Sequence, residues 1–334
     1  MINFFCPINT LGYGIFSYQL IRAYYEFVSP DVALIPLQVH GIKDPNINRW
    51  IENGINYSDK NPGIMLFHID GMPQLKGTPK IGFPLFEWET FTTDEISILK
   101  GLDYILQPSA WGKSVLNKCG FDNVFIVPGG FDPKVYKPTI AFNEKLKRIE
   151  KQGLTFIHVG KYESRKNSEL ILKAFINAAS GTNAKINLLF HVYNPFDKDW
   201  FKKIKDIFSA FGFSNKEEHF TKGNSHVIVP LSPISSDEFP EIYQMADFGI
   251  WASKAEGWNL PLNEAIASGL PCITTNNTAQ ADFIREGTYP SELILKTNYK
   301  NPQDLEPEAY VVEIEITEKI LTLIQNPEKF LNLQ

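Results

Sequence analysis

Short runs of β-branched and aromatic residues alternate along most of the chain with longer stretches whose apolar positions recur at helical spacing. In the first part, Ile2–Phe5, Val32–Pro36, Ile64–His68, Lys80–Phe83, Tyr104–Gln107 and Val124–Val127 predict strands. Helices are predicted between them at Gly14–Phe27, Thr93–Lys100 and Ser109–Cys119, the last with Ser109 as N-cap. A second series follows, with strands at Phe156–Val159, Ile186–Val192, Val227–Pro230, Phe248–Trp251 and Cys272–Thr275, and helices at Asn167–Ala179, Asp199–Phe211, Ser236–Met245 and Pro261–Ser268. This rhythm is that of βαβ units, whose parallel strands need crossover helices and take ligands at their carboxyl ends.

Between the two series, Lys137–Gly153 combines a proline with several lysines and glutamates and lacks any strand-like run, which predicts an exposed connection. The expected organisation is a domain over residues 1–138, a linker over 139–152, a second domain over 153–316 and a closing helix over 317–334. That amphipathic end, Thr317–Leu333, is able to cap either domain, including by packing back on the first.

A length of 334 residues suits two cores of ordinary size, and 43% hydrophobic with 21% charged residues is the balance of a globular protein. The net charge of −6 gives no support to general nucleic-acid binding, which needs a basic surface. Cys6, Cys119 and Cys272 are far apart, odd in number and without metal-ligand spacing, so free thiols in a reducing, cytoplasmic setting are expected. No signal-peptide pattern opens the sequence and no apolar run is long enough to span a bilayer, so any membrane contact is expected to be peripheral.

The segment Phe248–Thr275 concentrates the chemistry. It reads as a buried strand, a loop holding Glu256, Gly257, Trp258 and Asn259, a helix opening at Leu260 and Pro261, and a second strand. Proline costs nothing in a first helical turn, and the free amides there form an anion site suited to a diphosphate. Glu256 and Glu264, eight positions apart, are spaced to flank one elongated ligand and accept hydrogen bonds from its hydroxyls. Upstream, Phe156–Ser168 is a strand followed by Gly160, Lys161, Arg165 and Lys166 on the loop into a helix, where cations are able to neutralise a departing diphosphate.

Together these stretches resemble the retaining GT-B glycosyltransferases, in particular glycosyltransferase group 1, or GT4, whose acidic motif spaces two glutamates as Glu256 and Glu264 are spaced here. The resemblance implies an α/β fold of GT-B type, two Rossmann-like doubly wound domains facing each other across a cleft. It implies that Glu256 holds hydroxyls of a donor sugar, that Glu264 holds the ribose of a nucleoside-diphosphate sugar, and that Arg165, Gly257, Trp258, Asn259 and Leu260 line the donor. Lys161 and Lys166 would stabilise the leaving group; the family usually has arginine at the first of these, and lysine offers a point charge in place of a planar fork. The turn at Leu231–Pro233 would read the base.

In the first domain, Asn9-Thr-Leu-Gly-Tyr-Gly-Ile15 resembles the family's glycine-rich loop, with Gly12, Tyr13 and Gly14 against the donor. Val127–Pro138 resembles the turn that closes this domain, where Gly129 and Gly130 are expected to permit a sharp bend and Asp132 to anchor it. His68 ends a predicted strand where a family histidine stands near the reacting sugar, with Asp70 and Glu87 as further acceptor-side candidates.

The expected activity is transfer of a hexose-like sugar to an acceptor hydroxyl with retention of configuration, the departing phosphate helping to take the acceptor proton. No cofactor or metal is expected, since lysines and helix amides stand in for a divalent ion. The acceptor is open among a glycan, a lipid-linked or protein acceptor, a small molecule and a modified nucleobase. The alternatives are a nucleotide-sugar epimerase on the same fold and a non-catalytic nucleotide-sugar-binding module.

Overall fold

The computed structural model describes residues 1–231, 238–284, 289–296 and 309–332. The chain forms two compact units, the first comprising Met1–Asp132 with the short segments Glu256–Leu260 and Thr278–Asp282, the second Pro133–Ala255, Pro261–Asn277 and Phe283–Gln334.

The first unit runs β1 (Ile2–Ile8), α1 (Gly12–Phe27), β2 (Val32–Val39), α2 (Pro45–Ile55), β3 (Gly63–Phe67), β4 (Lys80–Pro84), α3 (Thr93–Lys100), β5 (Tyr104–Gln107), α4 (Ala110–Lys118) and β6 (Val124–Ile126). Its strands form one parallel sheet in the order β2-β1-β3-β4-β5-β6. The strands are apolar on both faces because helices cover both sides of a parallel sheet. Helix starts follow local chemistry: Ser109 accepts from the Gly112 amide at α4, and Thr92 forms a reciprocal capping box with Glu95 at α3. The sequence reading missed α2, whose buried stripe Ile47, Trp50 and Gly54 is interrupted by polar residues; Asp44 caps it and Pro45 opens it.

In the second unit α5 (Phe142–Gln152) precedes β7 (Leu154–Lys161), α6 (Ser168–Ser180), β8 (Ile186–Tyr193), α7 (Trp200–Ala210), β9 (Ser214–Lys216), β10 (His219–Lys222) and β11 (Ser225–Ile228). Then come α8 (Phe239–Met245), β12 (Phe248–Trp251), α9 (Leu260–Ala267), β13 (Cys272–Thr275), β14 (Ile294–Leu295), α10 (Ala309–Gln325) and α11 (Pro327–Leu331). The sheet order is β14-β13-β12-β7-β8-β11-β10-β9, parallel except for antiparallel pairing of β10 with β11 and β9. The β9–β10 hairpin, short and polar, carries no apolar alternation and was not expected.

One expectation about connections changes and another narrows. The supposed exposed linker contains α5, whose Phe142, Leu146 and Ile149 pack against the core of the second unit. Between them Lys145 is buried, and Arg148 pairs at 2.5 Å with the fully buried Asp247. Charged residues there hid a helical stripe, because a lysine can bury its stem along apolar surface. The C-terminal segment, for which the sequence left either domain open, lies in the second unit. Val312, Ile316, Ile320 and Leu323 of α10 join its core, and Glu313 accepts from Asn177 of α6 at 2.8 Å.

Candidate active site

β7 extends two residues past its predicted end and delivers Lys161 at its carboxyl terminus. A 3-10 turn, Ser164–Lys166, leads to Asn167, which takes the left-handed conformation (φ 54°) and is buried. Its Nδ2 donates to the Ala252 carbonyl at 2.6 Å, tying the loop after β7 to the loop after β12. Arg165 adds a second tie, with Nη1 donating to the Ala255 carbonyl at 2.6 Å and Nη2 paired with Glu163 at 2.9 Å. Lys161 turns to the other oxygen of Glu163 at 2.7 Å, its Nζ 5.4 Å from the ring centre of Phe196. The stem of Lys166 lies beside Gly160. The three cations are thus differently employed, and Arg165 braces the backbone leading into Glu256.

The segment after β12 is held mostly through its backbone. Thr275 donates to the Ser253 carbonyl at 2.8 Å and Asn277 to that of Lys254 at 2.5 Å. The Glu256 amide donates to Thr278 Oγ1 at 2.9 Å, and its carbonyl accepts from the Ala279 amide at 3.2 Å. Asn259 adopts a positive φ of 73° and donates to Gln280 at 2.8 Å, which fixes the turn into α9. Pro261 sits in the first helical turn, as expected. Glu256 is 3% and Glu264 6% exposed, an uncommon setting for carboxylates unless partners are built for them.

Glu264 has such partners. Its Oε2 accepts from the Tyr243 hydroxyl at 3.3 Å, and the Tyr136 phenol stands beside it. Burial, reinforced by this carboxylate, pushes both phenols above their ordinary range, so they remain protonated donors. Two phenols separated from Glu264 in sequence therefore orient a side chain that the spacing alone identified.

In the first unit, the glycines of the β1–α1 loop differ. A side chain at Gly14 would overlap Asn9, whose Oδ1 already holds the Leu11 amide at 2.9 Å, so Gly14 serves packing. Around Gly12 there is open space. Tyr13 donates to the Leu85 carbonyl at 2.8 Å, and its oxygen stands 3.1 Å from His68 Nδ1. With the one phenol proton on the carbonyl, His68 Nδ1 is the donor in the second bond. The exposed His68 stands at the carboxyl end of β3, and Asp70, in the 3-10 turn that follows, is exposed. Glu87 is half-buried.

Gly129 needs no side chain for a different reason from the bend expected. A Cβ there would overlap the indole of Trp258, whereas Gly130 has open space around it. Asp132 is anchored by Arg22 at 2.9 Å.

Residues 140–308, which include both loops of this site, match the family model described as glycosyl transferases group 1. The chain belongs to this family. Solved structures similar to this group 1 glycosyltransferase include Anabaena Alr3699/HepE in complex with UDP and glucose, with a TM-score of 0.63 at 11% identity over 99% of this chain and 92% of that one. Sucrose-phosphate synthase from Thermosynechococcus elongatus gives a TM-score of 0.61 at 15% identity over 99% and 94%. The pneumococcal O-GlcNAc transferase GtfA gives 0.55 at 13% identity over 85% of this chain and 54% of that one. At such identities the likeness concerns the fold, which is GT-B: two parallel-sheet α/β domains. No curated protein matches the chain in sequence.

Some site features of this glycosyltransferase lay beyond its sequence pattern. Asn167, Thr278 and Gln280 hold the loops from positions that carry no charge signal. Lys254 stands inside the acidic segment but was not singled out; it is 4% exposed, and its Nζ donates to Ser164 Oγ at 3.1 Å. A lysine within the otherwise uncharged run Trp251–Ala255 is the sequence trace of that position. Of the turn expected to read the base, Leu231 has its amide on Glu218 at 2.7 Å, while Ser232 and Pro233 lie outside the described residues.

Proposed function

We propose that the chain transfers a hexose-like sugar from a nucleoside-diphosphate sugar to an acceptor hydroxyl with retention of configuration and without a bound metal, in the manner of the GT4 enzymes it resembles. The observation that carries this reading is the pair Glu256 and Glu264, both buried, one on each side of the opening of α9, in a segment that falls within the family match. Glu256 accepts hydroxyls of the donor sugar. The first amides of α9 receive the diphosphate, and Glu264, oriented by Tyr136 and Tyr243, receives the ribose hydroxyls.

Catalysis on this reading rests on positioning and on stabilising leaving-group charge. Lys161 shares its charge with Glu163. Lys166 supplies the remainder, and His68 belongs to the acceptor side. Burial raises the Cys6 and Cys272 thiols above their ordinary range, Cys6 to about 12, so neither serves as a nucleophile. Cys6, Cys119 and Cys272 are unpaired, in keeping with a reducing, cytoplasmic setting. Among the described residues no helix is long and apolar enough to cross a membrane, and any membrane contact in this reading is peripheral.

Calorimetry with UDP, GDP and ADP on the wild type and Glu264→Ala tests the donor assignment. Affinity for the diphosphate that binds wild type should fall at least tenfold, the loss expected for charge-assisted hydrogen bonds of about 1.5–3 kcal/mol. Equal affinity in both proteins would remove the ribose role. Transfer assayed in EDTA should persist and yield a product with the donor's anomeric configuration by NMR coupling. Loss of activity restored by manganese, or an inverted product, would overturn that part of the reading.

A further inference from the structure

Lys254 presents an energetic problem at the edge of the site. It is 4% exposed, yet among the described residues its ammonium has one hydrogen-bond partner, the Ser164 hydroxyl at 3.1 Å. An ammonium carries three donors, and a hydroxyl does not neutralise it. The neighbouring carboxylate of the loop, Glu163, is already bonded on one oxygen by Lys161 at 2.7 Å and on the other by Arg165 at 2.9 Å. Burial alone lowers the proton affinity of Lys254, with no acidic group among the described residues acting in the opposite sense. Taking a cation out of water without a counter-charge costs several kcal/mol, and such a group in a binding loop marks a functional position.

Its setting indicates the compensating ligand. The Lys254 amide donates to the Arg165 carbonyl at 2.8 Å, so the two loops are fixed against each other at this residue. Both loops leave adjacent parallel strands, β7 and β12, at their carboxyl ends, where α/β sheets bind ligands. Two further cations, Lys161 and Lys166, stand on the same β7 loop.

We propose that Lys254 is an anion-binding residue of the donor site, its ammonium contacting the diphosphate of the nucleoside-diphosphate sugar. This rests on the donor reading above and adds to it a cation that neither the spacing of the motif nor the basic loop assigns. In the free protein the charge is poorly compensated; the bound phosphate compensates it. The position is thus held at a cost to stability in exchange for affinity.

The test compares wild type, Lys254→Met and Lys254→Arg by calorimetry with UDP, GDP and ADP and with uridine, guanosine and adenosine, together with ligand-free melting temperatures. In Lys254→Met, affinity for the binding diphosphate should fall about tenfold or more while affinity for the parent nucleoside stays the same. Its ligand-free melting temperature should equal or exceed that of wild type, because an apolar chain of similar length replaces a buried charge. Lys254→Arg should recover part of the lost affinity. If wild type binds a diphosphate and Lys254→Met binds it equally well, the proposal fails and the donor reading stands. An equal loss for nucleoside and diphosphate with a lowered melting temperature makes Lys254 a structural strut and also overturns it. Wild type that binds none of the three diphosphates overturns both.

Discussion

At the amino end of β12, Asp247 is fully buried and meets Arg148 at 2.5 Å, the Thr155 amide at 2.7 Å and the nearby buried Lys145. In the loop after the carboxyl end of the same strand, Lys254 is also largely withdrawn from solvent, and among the described residues its ammonium bonds one hydroxyl. One strand of four residues thus separates a charge centre that the protein completes by itself from one that it leaves for something else. The difference follows from where ligands go in parallel sheets: amino ends are free to be closed for stability, and carboxyl ends are kept for binding.

The comparison breaks most visibly if the amino end is opened. Asp247→Asn should cost about 3 kcal/mol in urea unfolding of the ligand-free protein, near the lower bound for breaking a buried pair because Arg148 keeps some solvent contact. Diphosphate affinity of the folded fraction should be unchanged. A loss under 1 kcal/mol would mean that the α5 anchor is no stronger than a surface pair.

A smaller effect sharpens the same contrast through pH. Burial, only partly offset by Asp247, pushes Lys145 down to about 8 from an ordinary 10.5. Below about 8 the lysine is protonated in folded and unfolded chains alike, and the folded state bears the full desolvation penalty. From about 8 to 10.5 the folded chain releases this proton while the unfolded chain retains it, so stability contributed here rises with pH. Lys145→Met removes that rise, so the difference in melting temperature between it and wild type should shift in favour of wild type over this interval. A difference that stays constant across it would show that Lys145 is not held in the way its burial implies.

These two ends were unequally visible in the sequence. The alternation of apolar runs located every described strand but β9, β10 and β14, because parallel strands buried on both faces leave a continuous apolar signature. Glu256 and Glu264 stood out through spacing and through the glycine and proline between them. The charged helix α5 was hidden because Lys145 and Arg148 read as solvent-facing until packing brings Asp247, 99 residues from Arg148, to them. For the same reason Tyr136 and Tyr243 gave no sign of serving Glu264, and Lys254 gave only the faint one of its uncharged neighbours. Spacing along one segment can be read directly; partners supplied by other segments are fixed only when the chain folds.

The hairpin at the far side of the second sheet has a consequence for behaviour in a crowded solution. A parallel sheet that ended on β11 would offer neighbouring molecules a strand edge beside an apolar core. Instead the sheet continues through the reversed strand β10 to a last strand, β9, that is three residues long and made of exposed Ser214, Asn215 and Lys216. Short length and a lysine on an outer strand discourage intermolecular strand pairing, so this edge resists aggregation while the rest of the sheet remains richly hydrophobic.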